Sequence, residues 1–170
     1  AGCSDSGASS SGGDGENVLI VRATGDPMSF NPDTTADDNA YAIVQNLFNR
    51  LVKLDASKQV IPDLAKDWEV SEDGLAITFY LNENAKWHDG EPVTSEDVKY
   101  TFETIQANKT YYFSSRLEIV DSIETPDDHT VVFHMKSPDV SFIADLGWYA
   151  TFILPEHVFN TDVSWEDNAA

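Results

Sequence analysis

The spacing of apolar residues changes twice between Ala76 and Met135, and this change constrains the fold more than any other feature of the chain. "AITFYL", Ala76 to Leu81, alternates as a strand covered on one face does. "TSEDVKYTFETIQAN" then puts Val98, Phe102 and Ile105 on one side of a helix, and it opens with a capping signature, Thr94 or Ser95 followed by acids in the first turn. "IVDSIETPDDHTVVFHMKSP" returns to a period of two: a strand, a Pro-Asp-Asp turn and a second alternating strand, hence a β-hairpin. The strands and the helix do not follow a repeated βαβ rhythm, so the layout is α+β with mixed order rather than a doubly wound sheet.

The flanking segments extend this pattern. "VLIVRA", Val18 to Ala23, reads as a largely buried strand ahead of the breakers Gly25 and Pro27. Asp37 or Asp38 is placed to cap a helix whose apolar positions Tyr41, Val44, Leu47, Phe48 and Leu51 recur at helical spacing. "IPDLAKDWEVS" reads as a connection with a short helical turn. "DVSFIADLGWYATFILPEHVF" predicts a short helix ended near Gly147, an aromatic loop and a turn started by Pro155.

Residues 1–17, "AGCSDSGASSSGGDGEN", contain almost nothing to bury and read as a flexible tether. Cys3 is the single cysteine, which excludes an internal disulfide. Small residues ahead of a cysteine, followed by a Ser/Gly run, resemble the end of a bacterial lipoprotein signal, so Cys3 is the candidate lipidation site. Acyl chains there would tie the chain to a membrane, and the ~13 tether residues would give a reach of about 20 Å.

Charge and chemistry narrow the function. Thirty acids against ten bases give a net charge of −20, which repels a polyanion, so nucleic acid is not an expected partner. The apolar run from Leu146 to Leu154 is far shorter than the ~20 residues that span a bilayer. No pattern for a nucleophile elbow, a phosphate loop, a zinc helix or a calcium loop is present. His129 and His134 are expected on opposite faces of a strand and His88 in a turn, so no metal site, cofactor or catalytic residue is predicted.

Several stretches together resemble one family. "MSFNP", "NLFNRLVKLD", "VIPDLAKDWEVSEDGLAITFYLNENAKWHDGEPVTSEDVKYTFE" and "DDHTVVFHMKSPDVSFIADL" are similar, in order, to the N-terminal part of extracellular solute-binding proteins of family 5, the peptide, nickel and opine class serving ATP-driven importers. The resemblance implies a type II periplasmic-binding-protein-like fold. Members of the family are longer and close two lobes over a ligand. The chain would then be truncated to the opening segment of lobe I (18–50), its small α+β subdomain (51–155) and the start of the return to the remainder (156–170).

The same resemblance implies no catalysis. It implies capture of a small solute, an oligopeptide or dipeptide, and delivery to permease subunits of an ABC transporter, by a receptor lipid-anchored on the extracellular face of the cell membrane or in the periplasm. Positions matching cleft-facing segments are Thr34, Thr35, Ala36, Asp37, Asp38 and Tyr41 in the loop and helix start after "NP", with Lys109, Tyr112, Trp148, Tyr149 and Thr151 in two aromatic loops. Trp68, Phe79, Trp87 and Phe102 are assigned to packing. Two other classes remain open at this stage. One is an extracellular hydrolase using a carboxylate pair; the other is a surface adhesion module.

Overall fold

The computed structural model describes residues 24–26, 31–32, 38–108, 113–148 and 151–160. The expected strand at Val18 to Ala23, the tether and Cys3 lie outside these residues. In chain order the elements are α1 (Asp38–Val44), β1 (Val52–Leu54), β2 (Val60–Pro62), β3 (Ala65–Val70), β4 (Ala76–Leu81), α2 (Ser95–Ala107), a 3-10 turn (Arg116–Ile119), β5 (Val120–Asp127), β6 (Thr130–Met135), α3 (Phe142–Trp148) and α4 (Glu156–Phe159).

The centre is an antiparallel sheet ordered β3-β4-β6-β5. Both β4 and β6 alternate buried with half-buried residues, as their sequences predict. Register pairs Ile77 with Phe133 and Phe79 with Val131, which puts Ile77, Phe79, Val131 and Phe133 on one face. That face receives the buried Val98, Phe102 and Ile105 of α2. The ring of Phe133 lies at the middle: 5.6 Å from Phe79, 5.1 Å from Phe102 and 5.9 Å from Phe142, the first two nearly perpendicular. Edge-to-face contact of this kind adds to what burial alone provides.

Helix α2 starts as its sequence indicates, with Thr94 as N-cap. The Asp97 carboxylate accepts the Thr94 N–H at 2.8 Å, closing a capping box. The same carboxylate accepts the Trp87 indole N–H at 3.2 Å and the Glu156 backbone N–H at 2.8 Å, so one buried acid joins α2, the "WHDG" turn and α4. Thr101 completes the attachment: its hydroxyl accepts from the Leu154 N–H at 3.0 Å. Of the aromatics expected to pack, Phe79 and Phe102 are fully buried, whereas Trp68 and Trp87 are only partly buried and lie against the margin of the core.

Two expectations are corrected. Helix α1 ends at Val44 instead of running to Leu51; Leu47 is 42% exposed while Leu51 is buried. Local turn bonds continue to Phe48, and from Asn49 the backbone bonds across the chain: the carbonyls of Arg50 and Leu51 accept from Leu64 and Ala65, and that of Asn49 from Ile153. Likewise "IPDLAKDWEVS" contains no helical turn but forms β2 and β3, with Trp68 opposite Phe79 and Val70 opposite Ile77. Ile61, Leu64 and Trp68 have a spacing that also suits a helix, and ladder pairing with β1 and β4 overrides it. The hairpin forms as predicted but turns at Asp128 and His129, one step beyond Pro-Asp-Asp. Pro126 is accommodated because β5 is an edge strand, where a missing N–H breaks no ladder bond on the open side.

Candidate functional site

The predicted ligand residues fall into three groups. Thr34, Thr35, Ala36, Asp37, Lys109, Tyr112 and Tyr149 lie outside the described residues. Asp38 is exposed at the first residue of α1, and Tyr41 is half-buried one turn later. Trp148 and Thr151 flank the end of α3 and have opposite surroundings.

Trp148 is 59% exposed. Helix α3 reaches β1 through Gly147, where a Cβ would come within 3.2 Å of the Lys53 carbonyl carbon, so a larger residue would push the two elements apart by a few tenths of an ångström. The next residue is left outside, with the Lys58 ammonium 5.3 Å from its ring centroid. Thr151, in contrast, is 1% exposed, and its hydroxyl donates to the Leu146 carbonyl at 2.9 Å. It satisfies the C-terminal end of α3 and presents no surface to a solute, which corrects its assignment as a ligand contact.

The pose of α3 depends on Arg116. Its Nη2 donates to Asp139 at 3.0 Å and to the Ser141 hydroxyl at 3.1 Å, and it also meets Asp145. The Ser141 hydroxyl and N–H, with Arg116 adding to them, hold the Asp139 carboxyl below its usual value. A carboxyl with a depressed folded pKa contributes stability that is full above its ordinary pKa of about 3.9 and is lost as pH falls through the folded value. We therefore expect the contact between α3 and Arg116 to loosen below about pH 4, followed as a change in Trp148 fluorescence during acid titration. In Asp139→Asn the acid-side portion of that change should be absent; an unchanged titration curve would exclude this carboxyl as its source.

The structure also brings together residues that the spacing argument missed. The guanidinium carbon of Arg50 lies 4.5 Å from the Phe152 ring centroid and 5.8 Å from that of Tyr41, and Nη2 donates to the Tyr41 hydroxyl. The two rings are 6.0 Å apart and tilted by 58°. An arginine within an apolar stretch of so acidic a chain was the available signal.

Depressions lie elsewhere among the described residues. One of about 540 Å³ is bordered by Glu91, Thr94, Asp97, Glu156 and His157 and includes no predicted ligand residue; its Asp97 is committed to capping. One of about 300 Å³ lies between Leu47, Asn49, Trp87 and His88. Among the described residues, no three His, Cys, Asp or Glu side chains are grouped to hold a metal, and no helix is long and apolar enough to cross a membrane.

Comparison with known proteins places the chain in a family. A protein of Brucella ovis is 41% identical over 131 residues, 76% of this chain and 24% of that protein. The dipeptide-binding protein of Escherichia coli K12 is 31% identical over 161 residues, 82% of this chain and 30% of its own length. The chain thus spans about a quarter to a third of the curated relatives it matches. Among solved structures, the oligopeptide-binding protein AppA of Bacillus subtilis, in complex with a nonapeptide, superposes with a TM-score of 0.72 at 29% identity over 85% of this chain and 29% of AppA. AgaA of A. tumefaciens R10, in complex with agropinic acid, gives 0.75 at 30% identity over 85% of this chain and 29% of AgaA. Residues 59–170 match the middle region of the bacterial extracellular solute-binding proteins of family 5, and the chain belongs to that family.

Proposed function

We propose that this chain is part of the substrate-binding component of an ABC importer, which captures a peptide outside the cell and hands it to membrane permease subunits. The observation that carries the reading is the shared fold with AppA, whose structure contains a nonapeptide, together with the similarity to a dipeptide-binding protein over 82% of the chain. The physical act is burial and release, and no bond is made or broken. A solute that contacts both lobes of a hinged receptor stabilises the closed state by the difference in its affinity for the two states.

In this reading residues 18–50 open the first lobe, residues 51–155 form its small subdomain and residues 156–170 begin the return. Asp38 and Tyr41 border the cleft, and the exposed Trp148 offers a rigid ring to it. Residues 34–37, Lys109, Tyr112 and Tyr149 are further candidates for contact with the solute. Cys3 carries the lipid that holds the receptor at the membrane.

The test uses the protein in the longest form its gene encodes. Native mass spectrometry after gentle purification should show a bound peptide, and fractionation should find the wild type with the membrane and Cys3→Ser in the soluble fraction. Purification with no added mass, combined with no response to a peptide library, would reject the peptide assignment; unchanged fractionation of Cys3→Ser would reject the anchor.

A further inference from the structure

We propose that Arg50 binds a carboxylate of the captured solute; this rests on the solute-binding reading above and names the group that the site recognises. Three other cations have acidic partners: Lys53 has Asp63 at 3.4 Å, Lys66 has Glu83 at 2.6 Å, and Arg116 has Asp139 at 3.0 Å. Among the described residues Arg50 has none. Asp63, which is close in space, is aimed elsewhere: one oxygen accepts the backbone N–H of Arg50 at 2.9 Å and the other accepts from the Asn49 and Lys53 side chains.

The guanidinium is instead held by aromatic groups. It lies over the Phe152 and Tyr41 rings, Nη2 donates to the Tyr41 hydroxyl, and Nε is shielded from solvent with no hydrogen-bond partner among the described residues. A shielded N–H with no acceptor is unfavourable, and a carboxylate would supply one. The planar fork of arginine suits that group better than the point charge of lysine does. Because stacking already orients the fork, a solute gains the contact without ordering a long side chain. The position is also apt. Tyr41, itself a predicted ligand residue, and Phe152 are brought together at Arg50, their ring centroids 6.0 Å apart.

The experiment pairs each acid with its amide: trialanine with trialanine amide, and succinate with succinamide, titrated calorimetrically into the longest form the gene encodes. Amidation should weaken binding to the wild type at least about tenfold, equivalent to ~1.4 kcal/mol. In Arg50→Gln the acid and amide should bind within about twofold of each other. Arg50→Lys, which keeps the charge and loses the fork, should discriminate to an intermediate degree; melting curves without solute report whether each variant folds, and Arg50→Lys serves alone if Arg50→Gln does not. Discrimination that persists undiminished in the variants would assign the carboxylate to another group and overturn the proposal. So would a wild type in which neither acid outbinds its amide. If only succinate shows the Arg50-dependent preference, the peptide assignment falls and the role of Arg50 stands.

Discussion

Phe133→Ala is expected to destabilise the protein by about 3–5 kcal/mol, the range for removing a large aromatic from a closed core. Phe133 is fully buried, and Phe79, Phe102 and Phe142 all meet its ring. Its removal therefore leaves a cavity walled by rings from β4, α2 and α3. Rings attached to regular elements cannot collapse into the space without moving the backbone that carries them, which keeps the cost near the upper part of that range. Urea unfolding monitored by circular dichroism should show a lower midpoint with a similar slope, and the melting temperature should fall by ~10 °C or more. Phe133→Leu, which retains most of the volume, should lose far less. A loss under about 1 kcal/mol for the alanine variant would mean that the sheet and α2 are not held together through this residue.

Asp97→Ala is expected to be the second most damaging change, at about 3 kcal/mol, although it removes only a carboxylate. Asp97 is 5% exposed and accepts hydrogen bonds from the Thr94 N–H and hydroxyl, the Trp87 indole and the Glu156 N–H. Alanine leaves donors from separate segments without an acceptor, and each shielded donor left unpaired costs about 1–3 kcal/mol, with effects that do not simply add. Loss of the capping box accounts for about 1 kcal/mol of the total. The specific signature is in hydrogen exchange: the Glu156 amide and the Trp87 indole should lose protection together, since one acceptor serves both. Glu103→Ala, on the exposed side of the same helix, should stay within about 0.5 kcal/mol of the wild type. Equal losses at the two positions would show that helix charge, rather than the joint at Asp97, is what matters.

The contrast between α1 and α2 shows where reading from sequence succeeds. Helix α2 has its own start signal at Thr94 and Asp97, and its apolar stripe of Val98, Phe102 and Ile105 faces the core. Local capping and tertiary burial favour the same conformation, so the pattern was readable. Helix α1 shares the spacing but not the outcome. Leu51 is buried because the β1–β2 hairpin places it, and Leu47 remains exposed, so the apolar stripe merged residues that serve two different elements. Strand β3 was missed for a related reason, since "LAKDWEV" has no strict alternation and becomes a strand by pairing with β4. The family blocks were readable throughout, because turn residues, tryptophans and a cap at fixed offsets are a local property of the chain.

The site separates along the same line. Trp148 is exposed at the last residue of α3, while the neighbouring Thr151 is covered and closes the end of that helix. No local rule distinguishes them, because a hydroxyl serves a helix end or a ligand equally well until the fold decides what lies beside it. Element type, the hairpin, the cap of α2 and the family followed from side-chain chemistry within short windows, where each residue's preference is expressed against its sequence neighbours. The extent of α1, the existence of β3, the four-donor joint at Asp97 and the stacking of Arg50 between Tyr41 and Phe152 required the assembled chain. Each depends on partners distant in sequence, whose proximity is a consequence of collapse and ladder pairing and is written in no single segment.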